Sequence, residues 1–486
     1  MILVPASEYA YLLPEIIVAL LGALLIVADL VWPAYDEATG RSRTWPAYLA
    51  IVGLIAAAVA VVPLAGVSKT LFNGIIQIDP LAAFFKLLFL GIGVLVILMS
   101  INAVPKFTRW TAEFYALMVW TILGSMLLAS AAELFTIFLS LQLTSLPLIV
   151  LVGYAKRDPR SGEAALKYLL LVLVSTSVLL YGMSLIYGAL GTSTLSEIAA
   201  SLARQKTIDP IVAMGLVLLL TGFAFKITAA PFHYWVPDAY EGAPTPVTAF
   251  MSVGSKFAGF ALALRVIVAA EAVPLNWHLI FGVIAAISMT LGNLGAIRQK
   301  NIKRMLAYSG IAQAGYLLVG VAAFSSWGIA SLLFYTLAYG AANLAAFAVV
   351  IIVANATKSE LIADYAGLSK RNPLLALALT IGLLSLAGFP LMAGFMAKFY
   401  VFLSAAQSGL IWLVAIGVVN SVISAYYYLR VAFVMYVQEG SSEPLKIDPQ
   451  AAMALCVAIA GVLFLGIIPE TAMVAAARAA ASLFGG

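Results

Sequence analysis

Three lysines stand inside long apolar runs of this chain. Lys226 lies in Thr221-Gly-Phe-Ala-Phe-Lys-Ile-Thr-Ala-Ala-Pro-Phe-His-Tyr-Trp-Val-Pro, Lys256 follows Gly254-Ser255, and Lys398 closes Ser385-Leu-Ala-Gly-Phe-Pro-Leu-Met-Ala-Gly-Phe-Met-Ala-Lys. An ionised lysine at mid-bilayer costs ~2.5–3.5 kcal/mol on insertion scales, so such residues are rare and mark ion or proton pathways. A lysine held away from water can also release its proton near neutral pH. The chemistry these three suggest is the loading and release of protons along a hydrated polar axis.

The elements around them carry a second signal. Pro231 removes a helix donor and clashes with the carbonyl of Ile227, so the helix is predicted to break just after Lys226. Gly388, Pro390 and Gly394 interrupt the other run shortly before Lys398. Two interrupted helices in corresponding places of two chain halves point to internal repeats around a transport site. Lys256 lies ten residues past Pro246, ~15 Å along a helix and near the midplane. Lys86 and Arg265 also fall in apolar runs, but nearer span ends, where snorkelling to the interface is the preferred reading.

Other candidates carry less. His233, just past the first break, fits either a relay between Lys226 and Lys256 or a structural hydrogen bond; both stay open. His278 reads as interfacial. Tyr339 and Asn343, one helical turn apart, offer polar groups for a water chain, with packing the favoured role. Gly91-Ile-Gly-Val lacks the third glycine of a dinucleotide fingerprint and sits inside an apolar run.

Composition sets the class. Of 486 residues, 64% are hydrophobic and only 10% charged, against ~25% charged in soluble domains. This is an integral membrane protein of the all-α polytopic class. The net charge of +5 comes from 26 basic and 21 acidic residues and indicates no nucleic-acid partner. One cysteine, Cys456, excludes an intrachain disulfide or a thiolate cluster, and two histidines make a haem or zinc site improbable. Glu8 and Glu15 replace the basic flank of a cleavable signal peptide.

A bilayer core of ~30 Å needs ~20 apolar residues per helix. About fourteen runs satisfy that, with helices 7 and 12 discontinuous. They divide into three N-terminal helices (residues 11–103), a first five-helix repeat (112–269), an inverted repeat (277–437) and a last helix (451–469). Spans 4–8 and 9–13 are inverted copies because five spans is an odd number. The whole forms one membrane domain over 1–486.

Basic residues set the orientation. Seventeen follow odd-numbered spans, whereas only Lys69, Arg204, Lys206 and Arg478 lie on the other side. The odd loops are therefore expected on the cytoplasmic side and both termini outside, in what reads as a prokaryotic cell membrane. The loop after span seven dissents, with Asp238 and Glu241 but no base.

Several segments resemble the antiporter-like subunits of respiratory complex I, the proton-translocating NADH–quinone oxidoreductase, and subunit N in particular. They are Ser145-Leu-Pro-Leu-Ile-Val-Leu-Val-Gly-Tyr, Arg160-Ser-Gly-Glu-Ala-Ala-Leu-Lys-Tyr, the Pro231-Phe-His-Tyr-Trp break, Asn301-Ile-Lys-Arg-Met-Leu-Ala-Tyr-Ser, Ala387-Gly-Phe-Pro-Leu-Met-Ala-Gly-Phe and Tyr426-Tyr-Tyr-Leu-Arg. The resemblance implies an antiporter-like fold, with Lys226, Lys256 and Lys398 as central proton carriers. It implies other membrane-arm subunits and the lipid bilayer as partners. It also implies no cofactor in this chain; FMN, iron–sulfur clusters and quinone would sit in other subunits, and this chain would make or break no bonds.

Two positions depart from that pattern. Gln142 stands where the family has a glutamate that partners the Lys226 equivalent, and Glu133 is nine residues away, ~13.5 Å along a helix. Gln313 stands where a histidine is common. An amide hydrogen-bonds an ammonium without neutralising it, so Gln142→Glu is expected to alter the pH dependence of pumping. Two alternatives remain: a subunit of a multisubunit sodium/proton antiporter, or a non-conducting structural link.

Overall fold

The computed structural model of the protein describes residues 6–37, 39–204, 208–269, 273, 275–440 and 443–484; Lys206 lies outside them. Among these residues twelve helices are long and apolar enough to cross a membrane. In chain order the helices that build the molecule are α1 (Ala10–Val31), α2 (Trp45–Leu64), α3 (Pro80–Ser100), α4 (Thr111–Ser130), α5 (Leu134–Val152) and α6 (Pro159–Leu190). Next come α7 (Leu195–Arg204), α8 (Pro210–Lys226), α9 (Trp235–Gly242) and α10 (Thr245–Ile267). The second half holds α11 (Trp277–Ile297), α12 (Ile302–Ala322), α13 (Ser326–Thr357), α14 (Pro373–Ala387), α15 (Ala393–Gln407), α16 (Ile411–Val437), α17 (Pro449–Ile467) and α18 (Pro469–Ala481).

The two interrupted runs are the short ones. The predicted seventh span is α8, which stops at a break with the short α9 beyond it; the predicted twelfth is α14, a break and α15. The remaining runs map one to one onto the twelve longer helices. Helix starts follow local chemistry: Asp79, Glu133, Asp158, Asp209, Asn276, Asn301 and Ser325 each cap a backbone N–H of the following helix. Proline occupies the first turn of α2, α3, α6, α8, α14 and α17, where no helix donor is lost.

Not every part is helical. Tyr35–Asp36 (β1) pairs with Arg41–Ser42 (β2), and Lys69–Leu71 (β3) pairs with Ile76–Ile78 (β4), both antiparallel. The second hairpin bridges through Ile76 to Ala131. It caps the end of the bundle opposite the basic loops.

Helix α13 is the axis. It has 32 residues, is buried over most of its length, and packs against α12, α14, α15, α17 and α18. Helix α10 is buried throughout its apolar window, whereas α1, α16 and α17 present large apolar side chains outward, as lipid-facing helices do. Amphipathic α7 buries Leu195, Ile198 and Leu202 and leaves Ser196, Glu197, Ala200, Ala203 and Arg204 exposed.

The basic loops share one face. Lys106 donates to the Asn355 carbonyl, Asn102 to Gln450, Arg371 to the Glu443 carbonyl, and Arg430 to the Ile297 carbonyl, all between helix ends and loops on the side that follows odd spans. Arg160 sits beside Asp158 at the start of α6 and holds that carboxyl below the usual carboxylate range. The dissenting acids are neutralised on this same face: Arg304 pairs with Asp238 and Glu241, each at 2.8 Å, and Lys167 reaches Asp238 at 3.1 Å.

Lys86 and Arg265 do not snorkel. Lys86 is 1% exposed and its Nζ lies 2.6 Å from the Glu15 carboxylate of α1. Arg265 binds Asp79 through two parallel bonds of 2.9 Å and adds the Ala129 carbonyl and Gln77. Their partners come from helices distant in sequence, so burial is compensated and reaching the interface is unnecessary. Arg265→Met strands Asp79 as a buried charge and is expected to cost about 3–5 kcal/mol; the loss of assembled protein on heating in detergent would measure it.

Candidate functional site

The helix of α8 ends at Lys226, as Pro231 demands. Thr228 adopts a left-handed conformation at φ 64°, and Ser288 of α11 accepts the Ala230 N–H that the break leaves free. Lys226 is 8% exposed and donates to the Ser145 hydroxyl at 2.9 Å. Gln142 makes no hydrogen bond to Lys226 among the described residues; Ser145, one turn further along α5, takes that place. Glu133 is occupied elsewhere, capping α5 through Thr136.

Lys256 follows a π-helical turn, Met251–Ser255, that the sequence did not announce. Such turns insert one residue and frequently occur at functional sites. Lys256 is 1% exposed and donates to the Gly310 carbonyl at 2.6 Å and to Tyr339 at 3.3 Å. Tyr339 donates onward to the Ser252 carbonyl, and Asn343 donates to the Ser252 hydroxyl at 2.5 Å. Tyr339 therefore meets the Lys256 ammonium, and Asn343 joins it through Ser252. Gly310 leaves room for this approach: a Cβ there would stand 2.8 Å from the ammonium, which would have to shift.

Lys398 is 5% exposed and lies at the second break. It donates to the Ala387 carbonyl at 2.7 Å and sits 4.5 Å above the Tyr316 ring. Gly388, at φ 93°, ends α14, and Ser385 accepts the Gly394 N–H at the start of α15. Gln313 donates to the neighbouring Leu386 carbonyl and accepts from Tyr335 at 2.6 Å.

Two helices bring the three ammonium groups into one series. On α10, Gly259 lies one turn past Lys256 and abuts the Lys226 stem, where a Cβ would approach its Cγ to 3.0 Å. On α12, Gly310 receives Lys256 while Gln313, three residues and ~4.5 Å further, binds the break beside Lys398. Among the described residues no carboxylate lies within 4.0 Å of any of the three, although buried Lys86, Arg265 and Lys303 each have one. Hydroxyls, carbonyls and an aromatic face serve them instead.

His233 is buried and stacked on Tyr234, and its Nδ1 has no partner among the described residues. Its ring is hydrogen-bonded to neither lysine. His278 binds the Ala322 carbonyl at 2.7 Å, at the end of the bundle away from the basic loops. Ser145, Ser252 and the Gly310 carbonyl were missed from sequence; the Gly-Ser pair before Lys256 was the one available signal.

Broken helices around a row of buried lysines define an antiporter-like membrane protein. A family described as NADH:quinone oxidoreductase/Mrp antiporter, TM, matches residues 131–424, and the chain belongs to that family. It is 44% identical over 464 residues to NADH-quinone oxidoreductase subunit N of Trichlorobacter lovleyi, covering 94% of each chain. A chain of respiratory complex I from Thermus thermophilus superposes with a TM-score of 0.81 at 32% identity, covering 96% of this chain and 100% of that one. A chain of the Mrp complex from Dietzia has a TM-score of 0.86 at 22% identity over 99% and 98%, a likeness of fold alone.

Proposed function

We propose that the chain carries protons through the membrane arm of an NADH–quinone oxidoreductase by way of Lys226, Lys256 and Lys398. The full-length likeness to subunit N supports the subunit and its proton-translocating role. The observation that carries the relay is the series of three buried ammonium groups without carboxylates, linked by α10 and α12.

Each lysine holds a proton against neutral acceptors. Rearrangement near Lys226, driven by quinone reduction in a neighbouring subunit, favours one protonation state over another. The change passes along α10 to Lys256 and along α12 to Lys398. Coupling of this kind requires that two states be stabilised differently at each lysine. Bond chemistry, flavin, iron–sulfur clusters and quinone belong to other subunits on this reading. The basic face is the cytoplasmic one, and both termini lie outside.

The intact complex in sealed vesicles tests this reading. Proton uptake that requires NADH and quinone supports it; sodium-driven proton exchange without an electron donor supports an antiporter instead. In the same vesicles, Gln142→Glu places a carboxylate one turn from Ser145 and is expected to change the pH profile of pumping. An unaltered profile would show that the residue at position 142 does not set the protonation of Lys226.

A further inference from the structure

Two buried ion pairs lie in the N-terminal half, and they differ in how well they are served. The Arg265–Asp79 pair is saturated: Arg265 has three protein acceptors, and Asp79 also takes the Ala82 N–H. The Glu15–Lys86 pair is bare. Both residues are at least 95% buried, yet among the described residues Lys86 is the single donor to the carboxylate, and neither oxygen receives another hydrogen bond. A buried carboxylate so poorly served has to gain a water or a proton to complete it.

The pair is placed between a surface and the lysine row. Glu8 and Tyr11 precede Glu15 by seven and four residues, with a 3-10 turn at Ala10–Leu12 between Glu8 and Glu15. Tyr11 accepts from Lys69 at 2.6 Å, and Glu8 accepts the Phe72 N–H, both at the end opposite the basic loops. On the inner side, α3, which bears Lys86, packs against the π turn that presents Lys256. Charged groups at this end include Lys69, Asp79, Glu133, Glu197, Arg204, Asp209, Arg265, Glu470 and Arg478.

We infer that Glu15 and Lys86 form a proton-exchanging pair, a branch between the lysine row and the surface at Glu8 and Tyr11. A proton arriving on the Glu15 carboxylate breaks the ion pair and leaves the Lys86 ammonium without a counter-charge. The ammonium then gives up its proton, and transfer from the Glu15 carboxyl to the Lys86 amine restores the pair. One proton enters and one leaves per cycle. The inference rests on the chain's role in proton translocation.

The test uses the double variant Glu15→Leu/Lys86→Met in the intact complex, reconstituted in sealed vesicles. Removing both charges strands neither, so a merely structural pair is replaced at little loss. The expected result is an assembled complex with a lowered ratio of protons pumped to NADH oxidised. The wild-type ratio in the double variant overturns the inference. Lys256→Met, measured alongside, separates the causes: if it lowers pumping and the double variant does not, the pair alone is at fault; if neither does, the relay itself fails. Should the double variant not assemble, Glu15→Gln is measured instead; its assembly with a wild-type ratio overturns the inference equally.

Discussion

Lys256→Met is expected to slow redox-driven proton translocation by ~10²-fold or more, the loss that follows removal of a positioned proton carrier. Methionine matches the lysine stem in length and leaves the apolar contacts of α10 in place. It also removes a buried charge, so assembly is expected to persist or improve. Lys256 is the residue to change because it touches both linking elements: Gly310 on α12 through its ammonium, and Lys226 through the next turn of α10. Loss at this one position separates the two ends of the series. Proton uptake and NADH oxidation measured on the same vesicles distinguish lost pumping from lost assembly.

Gly394→Ala is expected to cause the largest structural damage of any single methyl addition near the site. Its Cβ would stand 1.8 Å from the Ser385 carbonyl oxygen, which is backbone and cannot swing aside. Either α14 and α15 separate or the second break reshapes. Overpacking of this kind costs about 1–3 kcal/mol and more when backbone is the obstacle. The break positions the Ala387 carbonyl for Lys398, so pumping falls together with thermal stability. A melting curve of the purified complex, set beside its proton uptake, reads both. Wild-type values in each would mean that the break is not as tightly packed as described.

Much of this was legible in sequence because the signals are local. A proline after Lys226, glycines and a proline before Lys398, and charges inside apolar runs are visible without any partner. The one-sided basic loops are local too. Long-range partners were not. Glu15 is 71 residues from Lys86, and Asp79 is 186 residues from Arg265, so both cations looked free to snorkel. Pairing Glu15, the acid inside an apolar run, with Lys86 was the available hint.

The acceptors of the three lysines were hidden for another reason. The Gly310 and Ala387 acceptors are backbone carbonyls, which every residue possesses, so no side chain marks them. The π turn before Lys256 differs from an α turn only in its hydrogen-bond register, and packing against α3 and α13 accompanies it. Gln142 drew attention as a departure from the family, while Ser145, part of the motif that carried the resemblance, proved to be the hydroxyl on Lys226.

One measurement bears on the whole account. A density map of the intact complex, sharp enough to place water molecules, would show what lies between the three ammonium groups. The account predicts a file of ordered waters joining Lys226 to Lys256 and Lys256 to Lys398 along α10 and α12. Packed hydrocarbon in those two intervals, with no solvent admitted in any redox state, would contradict it.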